Sequence, residues 1–275
     1  AAMHPSFPAI LALALLLPAC STNPVTGRSQ FMIVSEEQAI SQSTQAYSSL
    51  MGQMQRQGRL SDDRALDARV TAITDRVVQQ AVRYRPETRR WNWQMQVVEG
   101  PDVNAFCMAG GKMAIYTGLI EKVRPSDDEL AQVIAHEIAH ALSNHTAEKM
   151  SVAQASQLGA AVLGAVAQSR GLPIGATETQ LLATVGVQLP NSRTAEAEAD
   201  RIGIELAARA GYDPYAAVSL WRKMTTATGS GGSIEFLSTH PAAESRIADL
   251  QALAPQMMPH YEAARGASAR VPKRR

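Results

Sequence analysis

The residues best suited to chemistry lie in one short run, His136-Glu137-Ile138-Ala139-His140. Two histidines four residues apart lie on the same face of a helix, one turn above each other, so both imidazoles can reach one metal ion. Glu137 lies about 100° round the helix from His136, where its carboxylate can hold a water beside the metal. Two nitrogen ligands and a general base are the groups that zinc-assisted peptide hydrolysis requires.

A catalytic zinc site takes a third protein ligand and leaves its fourth position to water. Glu196 and Asp200 are four residues apart and share a helix face, whereas Glu198 points nearly opposite. A ligating carboxylate, with another one turn on that hydrogen-bonds a ligand histidine, is a common arrangement around zinc. The spacing therefore favours Glu196 as ligand and Asp200 as the residue that orients a histidine; an ordinary acidic helix face is the alternative.

Two neighbouring candidates are interpreted as structural. His145 lies five residues past His140, which turns it off the ligand face and favours a capping or packing role. Glu198 is expected on a solvated face, so that Glu198→Gln would leave metal binding nearly unchanged.

The residues around the histidine pair predict a helix with a core-facing side. Ser126 and Glu129 match the capping box that begins many helices, with two aspartates in the first turn. Apolar residues then recur at helical spacing, at Leu130, Val133, Ile134 and Ile138. A second helix over residues 192–210 carries the acidic residues and is expected to stop at Gly211.

The remaining segments predict an α+β fold that is mostly helical, with a sheet of about three strands beside the metal-binding helix. Helices are expected over residues 35–56, 66–81 and 152–168, after the Asp213-Pro214 cap, and last along Ile247, Leu250 and Leu253. Alternation over residues 91–97 predicts a half-buried strand, and residues 103–108 and 113–117 flank Gly110-Gly111 as a hairpin. Loops are predicted at 171–177, as a movable lid, and at 229–232, before His240.

Composition fits a folded protein without a charge bias. The chain has 275 residues, of which 45% are hydrophobic and 19% are charged, and its net charge is +1. This length can bury one large core or two small ones. The near-neutral balance gives no electrostatic case for a nucleic-acid partner. We predict a folded domain over residues 35–258 and a solvated tail over residues 259–275.

The first twenty residues predict export. Residues 10–17 are an apolar run of signal-peptide length, too short to span a bilayer. The run ends in Leu17-Pro18-Ala19-Cys20, which is similar to a bacterial lipobox, where the cysteine becomes lipidated. We therefore predict a signal peptide at residues 1–19, lipidation of Cys20 and a polar tether at residues 20–34. Cleavage without lipidation is the alternative, and a lipidated Cys20 would leave Cys107 without a disulfide partner.

These motifs together resemble one family of enzymes. The run from His136 to His140, followed by SRTAEAEAD at residues 192–200, resembles the zinc metallopeptidases grouped with the CAAX-prenyl endopeptidase, HtpX and the mitochondrial Oma peptidase. The chain is most similar to their soluble bacterial LoiP- and BepA-like branch, since NPVTGR at residues 23–28 resembles the start of mature lipoprotein members. The segment from Asn104 and Ala105 is similar to the edge strand that holds substrate backbone. Thr239-His240-Pro241 resembles a family histidine close to the metal.

The resemblance, which covers most of residues 23–253, implies a gluzincin-type metallopeptidase domain. It implies one zinc held by His136, His140 and Glu196, with Glu137 activating water and His240 assisting as an oxyanion donor or closing the site as a gate. It further implies quality control of misfolded or stalled envelope proteins. Ser21, rather than an acidic residue, follows Cys20 and resembles the sorting pattern for the outer membrane, so we expect an anchor there and a protein facing the periplasm. The outer-membrane assembly machinery is a candidate partner.

Two other functions stay open from the sequence. A chaperone-like assembly factor would carry a closed, idle zinc site with four protein ligands, for which His240 is the fourth candidate. A peptidase acting only on small peptides is the second.

Overall fold

Helices surround a small sheet in this protein. The computed structural model describes residues 20–169, 176–228, 235–240 and 244–269. The helices α1 to α9 are Glu36–Arg56, Arg64–Tyr84, Thr117–Val123, Asp127–Leu142, His145–Ser169, Ala176–Arg209, Ala216–Thr228, Glu235–Thr239 and Glu244–Ala269. The strands β1 to β5 are Cys20–Thr22, Ser29–Phe31, Gln94–Val98, Ala105–Met108 and Lys112–Tyr116. The predicted α+β fold, mostly helical with a small sheet, is confirmed.

The larger sheet has three strands in the order β3-β5-β4. Strand β4 pairs antiparallel with β5, and β3 pairs with β5 in parallel. The predicted hairpin is confirmed: Gly110 and Gly111 form its turn with φ of +80° and +77°, a conformation that residues with a Cβ rarely adopt. Strand β4 therefore lies at an edge of the sheet as the structure describes it.

The first strand of this sheet starts later than its sequence pattern suggests. The alternation over residues 91–97 predicted a strand, but the ladder runs over Gln94–Val98. A short 3-10 helix, Pro86–Arg90, precedes it, and the backbone N–H of Trp91 donates to the carbonyl of Thr88 at 3.0 Å. Pro86 favours the helical φ with which this turn starts. Because the Trp91 N–H is hydrogen-bonded to the turn, it is not available to the ladder, which begins later.

Helix α4 lies at the centre of the molecule. Its predicted capping box is present, with Ser126 accepting from the backbone N–H of Glu129 and the Glu129 carboxylate accepting from the backbone N–H of Ser126. It packs against α2, α6, α7 and β4, which leaves nearly all of its side chains buried. After its first two residues, a residue on almost any face of this helix therefore meets protein rather than solvent.

The segment assigned to a tether, residues 20–34, is part of the fold. Strands β1 and β2 pair antiparallel, and the Asn23 and Gln30 side chains are buried. Gln30 donates to the carbonyl of Ser143 at 2.9 Å, and the backbone N–H of Val34 donates to the Ser151 hydroxyl at 2.9 Å. The polar composition that predicted a solvated linker instead supplies hydrogen bonds to the end of α4 and to α5.

Several helices extend beyond their predicted bounds. The acidic helix predicted over residues 192–210 is the last part of α6, which begins at Ala176. The predicted tail from residue 259 continues as helix α9 to Ala269. Within the described residues, no helix combines the length and the apolar character needed to cross a membrane. The predicted signal peptide, the loops at 171–175 and 229–232, Pro241 and residues 270–275 lie outside the described residues.

Candidate metal centre

Helix α4 presents both motif histidines on one face, as their spacing predicts. The Nε2 atoms of His136 and His140 lie 3.1 Å apart, and the two rings meet edge to face. Glu137 is buried beside them, on the side that faces strand β4 and His240. Its Oε1 atom lies 3.4 Å from His240 Nε2 but has no hydrogen-bond partner.

Four side chains converge on one point next to Glu137. Ligand atoms of His136, His140, Glu196 and His240 all lie within 4.8 Å of one another. The Glu196 carboxylate lies 3.3 Å from His136 Nε2 and 3.4 Å from His140 Nε2. The Nδ1 atom of His240 lies 3.0 Å from the same carboxylate. Three segments distant in sequence therefore supply the cluster: α4, α6 and the residue that follows α8.

The chemistry of this donor set fits a metal ion. Three imidazole nitrogens and a carboxylate oxygen are ligand types that zinc and other divalent transition metals prefer. The nitrogens of His136, His140 and His240 face one another in a largely buried position, where neutral rings cannot all satisfy one another's lone pairs. The buried Oε1 atom of Glu137 also lacks a partner, as expected where a metal and its water belong.

Burial and the mutual charges shift the pKa values of the cluster. Burial raises the pKa of Glu137, against the field of His240 and His136. Burial lowers the pKa of His140. Burial would also lower the pKa of His136, but hydrogen bonds to Asp200 and Glu196 raise it to about 9. Burial opposes ionisation of Glu196, but hydrogen bonds with the histidines hold its pKa below the ordinary value, so this carboxylate stays ionised.

Asp200 lies where its spacing from Glu196 places it, one turn farther along α6. Its Oδ1 atom is 3.1 Å from His136 Nδ1, which leaves His136 Nε2 for the cluster. The sequence analysis did not identify Arg246, which donates to Asp200 at 2.7 Å and lies 3.1 Å from Glu196. Its guanidinium is 3.8 Å from the centre of the Trp221 ring. The only signal in the sequence was its position six residues after His240.

His145 lies off the ligand face, as its spacing predicts, but the solvated face expected for Glu198 was wrong. Glu198 does point away from Glu196, but it is not solvated. It accepts from Thr26 at 2.6 Å and from Arg28 at 3.1 Å, and it lies 3.0 Å from His145 Nε2. His145 in turn lies 2.9 Å from His140, between their Nδ1 atoms. A chain of polar contacts thus runs from the N-terminal segment to the cluster.

The predicted substrate strand lies beside the cluster. Asn104 accepts from the backbone N–H of Tyr116 at 3.0 Å through its carbonyl and from that of Ala105 at 2.9 Å through its side chain. Helix α8, which ends just before His240, is attached to the chain just before β4, because the backbone N–H of Phe236 donates to the carbonyl of Val103 at 3.0 Å. The segment that carries His240 is therefore fastened beside the edge of the sheet.

The two cysteines stand apart from these contacts. Cys20 is exposed at the start of β1, and Cys107 is buried in β4. Burial raises the pKa of the Cys107 thiol, which favours a small packed hydrophobe over a reactive group. Cys20 lies shortly before Arg28 in the sequence. The contacts of Arg28 were not predicted, although Arg28 ends the NPVTGR motif.

Comparison with known proteins places this site in a family. The family model for "Peptidase family M48" matches residues 64–254, well over half of the chain. "Mitochondrial metalloendopeptidase OMA1" of Saccharomyces cerevisiae is 31% identical over 269 residues, which are 91% of this chain and 76% of the relative. The protein of the same name from Schizosaccharomyces pombe is 36% identical over 165 residues. "Beta-barrel assembly-enhancing protease" of Escherichia coli is 33% identical over 171 residues.

The coverage of these relatives differs. The alignment takes in 60% of this chain and 47% of the S. pombe protein, and 59% of this chain and 34% of the E. coli protein. The chain thus spans less than half the length of these two relatives. The region that the family model matches includes the residues of the cluster. The chain therefore belongs to peptidase family M48, whose members are metal-dependent peptidases.

Proposed function

We propose that this protein is a zinc-dependent endopeptidase in which His136, His140 and Glu196 hold the metal and Glu137 is the general base. One observation carries the proposal: a set of imidazole and carboxylate ligand atoms within 4.8 Å lies beside a buried carboxylate oxygen that has no partner. When bound, zinc supplies a Lewis acid that polarises the scissile carbonyl and acidifies water. All other groups that the reaction needs come from the chain itself.

Glu137 is suited to move a proton in this reaction. Burial raises its pKa, which makes its carboxylate a better proton acceptor than a solvated glutamate. It takes the proton from the attacking water and passes it to the leaving amine. His240, 3.4 Å from Glu137, lies where a donor could reach the oxygen that becomes negative on the scissile carbon.

An extended polypeptide suits the edge of the sheet as substrate. Strand β4 pairs with β5, and its other side carries no neighbouring strand in the described sheet. A substrate that adds there as a further strand would be bound through its backbone, which makes recognition depend on extended conformation rather than sequence. Unfolded or misassembled proteins meet that requirement, and Asn104 and Ala105 would begin the binding edge.

The setting that we propose is the bacterial envelope. We infer a LoiP- or BepA-like lipoprotein anchored through Cys20 to the outer membrane and facing the periplasm; a soluble periplasmic form is the alternative. The lipobox-like sequence at Cys20 and the similarity to a protein named a beta-barrel assembly-enhancing protease support this setting. The substrates would then be stalled or misfolded envelope proteins, with the outer-membrane assembly machinery as a candidate partner.

Replacement of the base tests the proposed function. Glu137→Gln is expected to retain about one zinc per chain and the wild-type fold, while cleavage of unfolded casein is lost, because the amide fills the same space but cannot accept the proton. Zinc content by atomic absorption and casein digestion by gel provide the two measurements. Casein cleavage by Glu137→Gln at the wild-type rate would refute the assignment.

A second candidate function rests on the position of His240. Because its Nδ1 atom belongs to the converging set, four protein ligands could close the site, as in structural zinc sites. The protein would then act as a chaperone-like assembly factor. Zinc-loaded wild type that prevents casein aggregation but leaves casein intact would favour this second function.

A further inference from the structure

The N-terminal segment, residues 23–30, is bound to the metal centre by charged and polar groups. Arg28 forms ion pairs with Glu148 of α5 at 2.7 Å and with Glu198 of α6 at 3.0 Å. Asn23 and Thr26 also donate to Glu198, at 3.4 and 2.6 Å. Most of these groups are shielded from solvent; the Glu148 and Glu198 side chains are only 6% and 12% exposed. Such contacts hold their geometry better than exposed ion pairs do.

The contacts continue from this segment into the cluster. Glu198 lies 3.0 Å from His145 Nε2, and His145 Nδ1 lies 2.9 Å from His140 Nδ1. His140 Nε2, on the opposite side of its ring, lies 3.1 Å from His136 Nε2 inside the cluster. Arg28, Glu198, His145 and His140 thus form an unbroken series that ends at a proposed zinc ligand.

The Glu198 carboxylate determines which imidazole nitrogens of His145 and His140 carry hydrogen. A carboxylate only accepts, so the Nε2 atom of His145 must donate to Glu198. A neutral His145 then has a bare Nδ1, which accepts from the Nδ1–H of His140. The Nε2 atom of His140 is consequently left without hydrogen, with its lone pair directed into the cluster. The opposite arrangement would face a bare nitrogen toward Glu198 and place an N–H where a metal must bind.

His136, the other histidine of α4, is also held by a carboxylate, but without an intervening imidazole. Asp200 contacts His136 Nδ1 directly at 3.1 Å, whereas Glu198 acts on His140 through an intervening imidazole. Partners of this kind fix the tautomer and ring orientation of a metal ligand and contribute to metal affinity.

We propose that Glu198 and His145 are positioning residues for His140, and that the N-terminal segment, through Arg28 and Thr26, is a working part of the metal centre. This inference rests on the proposed zinc site. The segment lies outside the region that the family model matches, which begins at residue 64. Displacement of this segment by a binding partner would weaken metal binding through Glu198.

The test measures zinc affinity by competition with a chromophoric chelator in the full chain. His145→Leu removes the acceptor for His140 and is expected to weaken zinc binding about 10- to 100-fold. His145→Asn provides the rescue, because the asparagine Oδ1 occupies nearly the position of the imidazole Nδ1 and can accept from His140. We expect its zinc affinity to stay within about threefold of wild type.

Substitution of the segment's arginine tests the remote end of the series. Arg28→Met is expected to weaken zinc binding about three- to tenfold, less than His145→Leu, because Thr26 still donates to Glu198. Arg209→Met is the matched control: it removes an arginine ion pair with Glu205 of the same helix, 2.7 Å long, that has no link to His140. Arg209→Met is expected to keep the wild-type zinc affinity.

The outcomes separate this inference from the proposed function. Wild type without specific zinc binding would overturn both. Zinc-binding wild type with an unchanged affinity in His145→Leu, or an equal loss in His145→Asn and His145→Leu, would overturn the positioning role alone. If His145→Leu does not fold by circular dichroism, the comparison of His145→Asn and Arg28→Met with Arg209→Met decides. Weaker zinc binding by Arg28→Met, with wild-type zinc affinity in His145→Asn and Arg209→Met, supports the inference. Equal zinc affinities of Arg28→Met and Arg209→Met overturn it.

Discussion

Three carboxylates within five residues of α6 face three different partners. Glu196 faces the cluster, Asp200 faces His136 and Arg246, and Glu198 faces His145 and the N-terminal segment. Burial opposes ionisation of all three, but hydrogen bonds lower their pKa values, to about 2 for Glu198. A rotation of about 200° between Glu196 and Glu198 places them on opposite sides of the helix, so one short acidic run serves both α4 histidines.

His240 is the residue whose role the structure sharpens most. Its Nδ1 atom lies 3.0 Å from Glu196 and its Nε2 atom 3.4 Å from Glu137, so it lies between a proposed ligand and the proposed base. We therefore expect His240→Ala to raise the rate of unfolded-casein cleavage several-fold at equal zinc occupancy, because a fourth ligand is removed. The measurement is the initial rate of casein cleavage by zinc-loaded protein. A rate lower by about 10²- to 10³-fold would instead assign the oxyanion role.

Sequence spacing predicted which side chains share a face of one helix, but not which other segment packs against that face. The i, i+4 pairs His136/His140 and Glu196/Asp200 each share a face as expected, and the opposite direction of Glu198 was also correct. Its solvation was not, because helical phase says nothing about which segment covers a face. Arg246 was missed for the same reason: an arginine in a polar helix is usually solvated, and only the tertiary fold brings this one to Asp200.

At the scale of elements, the approach of α4 and α6 depends on one glycine. A Cβ built on Gly203 would lie 2.9 Å from the Cα atom of His136 and 3.0 Å from its backbone nitrogen. Backbone atoms of a buried helix cannot move aside as a flexible side chain can. The two helices that supply the proposed ligands are therefore as close as their backbones allow.

Gly203→Ala is expected to destabilise the protein by about 1–3 kcal/mol, because the new methyl group overpacks the helix interface. Gly52→Ala is the control: in α1, the nearest atom to its Cβ is the Arg56 guanidinium at 3.5 Å, an ordinary contact. For Gly52→Ala we expect the free energy of unfolding to rise by about 0.5–1 kcal/mol, because alanine has less backbone freedom than glycine in the unfolded chain. Urea unfolding measures both changes. Equal stability of Gly203→Ala and wild type would contradict the close approach.

The start of α4 gives a pH-dependent contribution to stability. Burial raises the pKa of Glu129, but hydrogen bonds from Lys223, Ser219 and the Ser126 backbone outweigh it and hold the pKa below 4.5. A carboxyl whose pKa is lower in the folded than in the unfolded protein stabilises the fold above its ordinary pKa. That contribution is lost as the pH falls below about 4.5.

Glu129→Gln is accordingly expected to lower the free energy of unfolding by about 1 kcal/mol at pH 7, a modest value because Lys223 is partly exposed. The difference from wild type is expected to shrink as the pH falls below about 4.5. Urea unfolding at several pH values measures this, with Glu121→Gln on the exposed face of α3 as control. A difference that stays constant with pH would show that the charge of Glu129 is not the cause.

Elements were predicted best where local signals agree. The capping boxes at Ser35 and Ser126 and the glycine turn of the hairpin are local features, and all three are present. The start of β3 and the ladder of β1 with β2 were not found, because a period of two over a few residues does not reveal competing turns or pairing partners. Strand pairing is a long-range property, which short windows do not contain.

At the scale of the molecule, segments from both ends of the described chain meet at α6. Arg28 and Glu198 are 170 residues apart in sequence, and Arg246 reaches Asp200 from the last helix. The proposed ligands themselves come from α4, α6 and residue 240. The site thus forms only when the whole fold has closed, so zinc binding is expected to report on global folding.

In the proposed setting, a lipid on Cys20 attaches the molecule to the membrane. Cys20 is exposed at the start of β1, and none of the described helices can span a bilayer. If lipid on Cys20 is the anchor, Cys20→Ser is expected to move the protein from the membrane to the soluble fraction of fractionated bacterial cells, because a lipid chain supplies the apolar area that binding requires. Immunoblots of both fractions measure this. Cys107→Ser is the control, since this thiol is buried in β4 and is expected to leave the distribution unchanged.

Residues 23–30 directly follow β1 and contact Glu198, so one short segment connects the proposed anchor at Cys20 with the metal centre. The serine at position 20 changes no contact of Arg28 or Thr26, so the released Cys20→Ser protein is expected to bind zinc as wild type does. Chelator competition on the purified soluble form measures this affinity. Release with unchanged zinc affinity would separate attachment from catalysis, whereas Cys20→Ser that remains in the membrane fraction would contradict the lipid anchor.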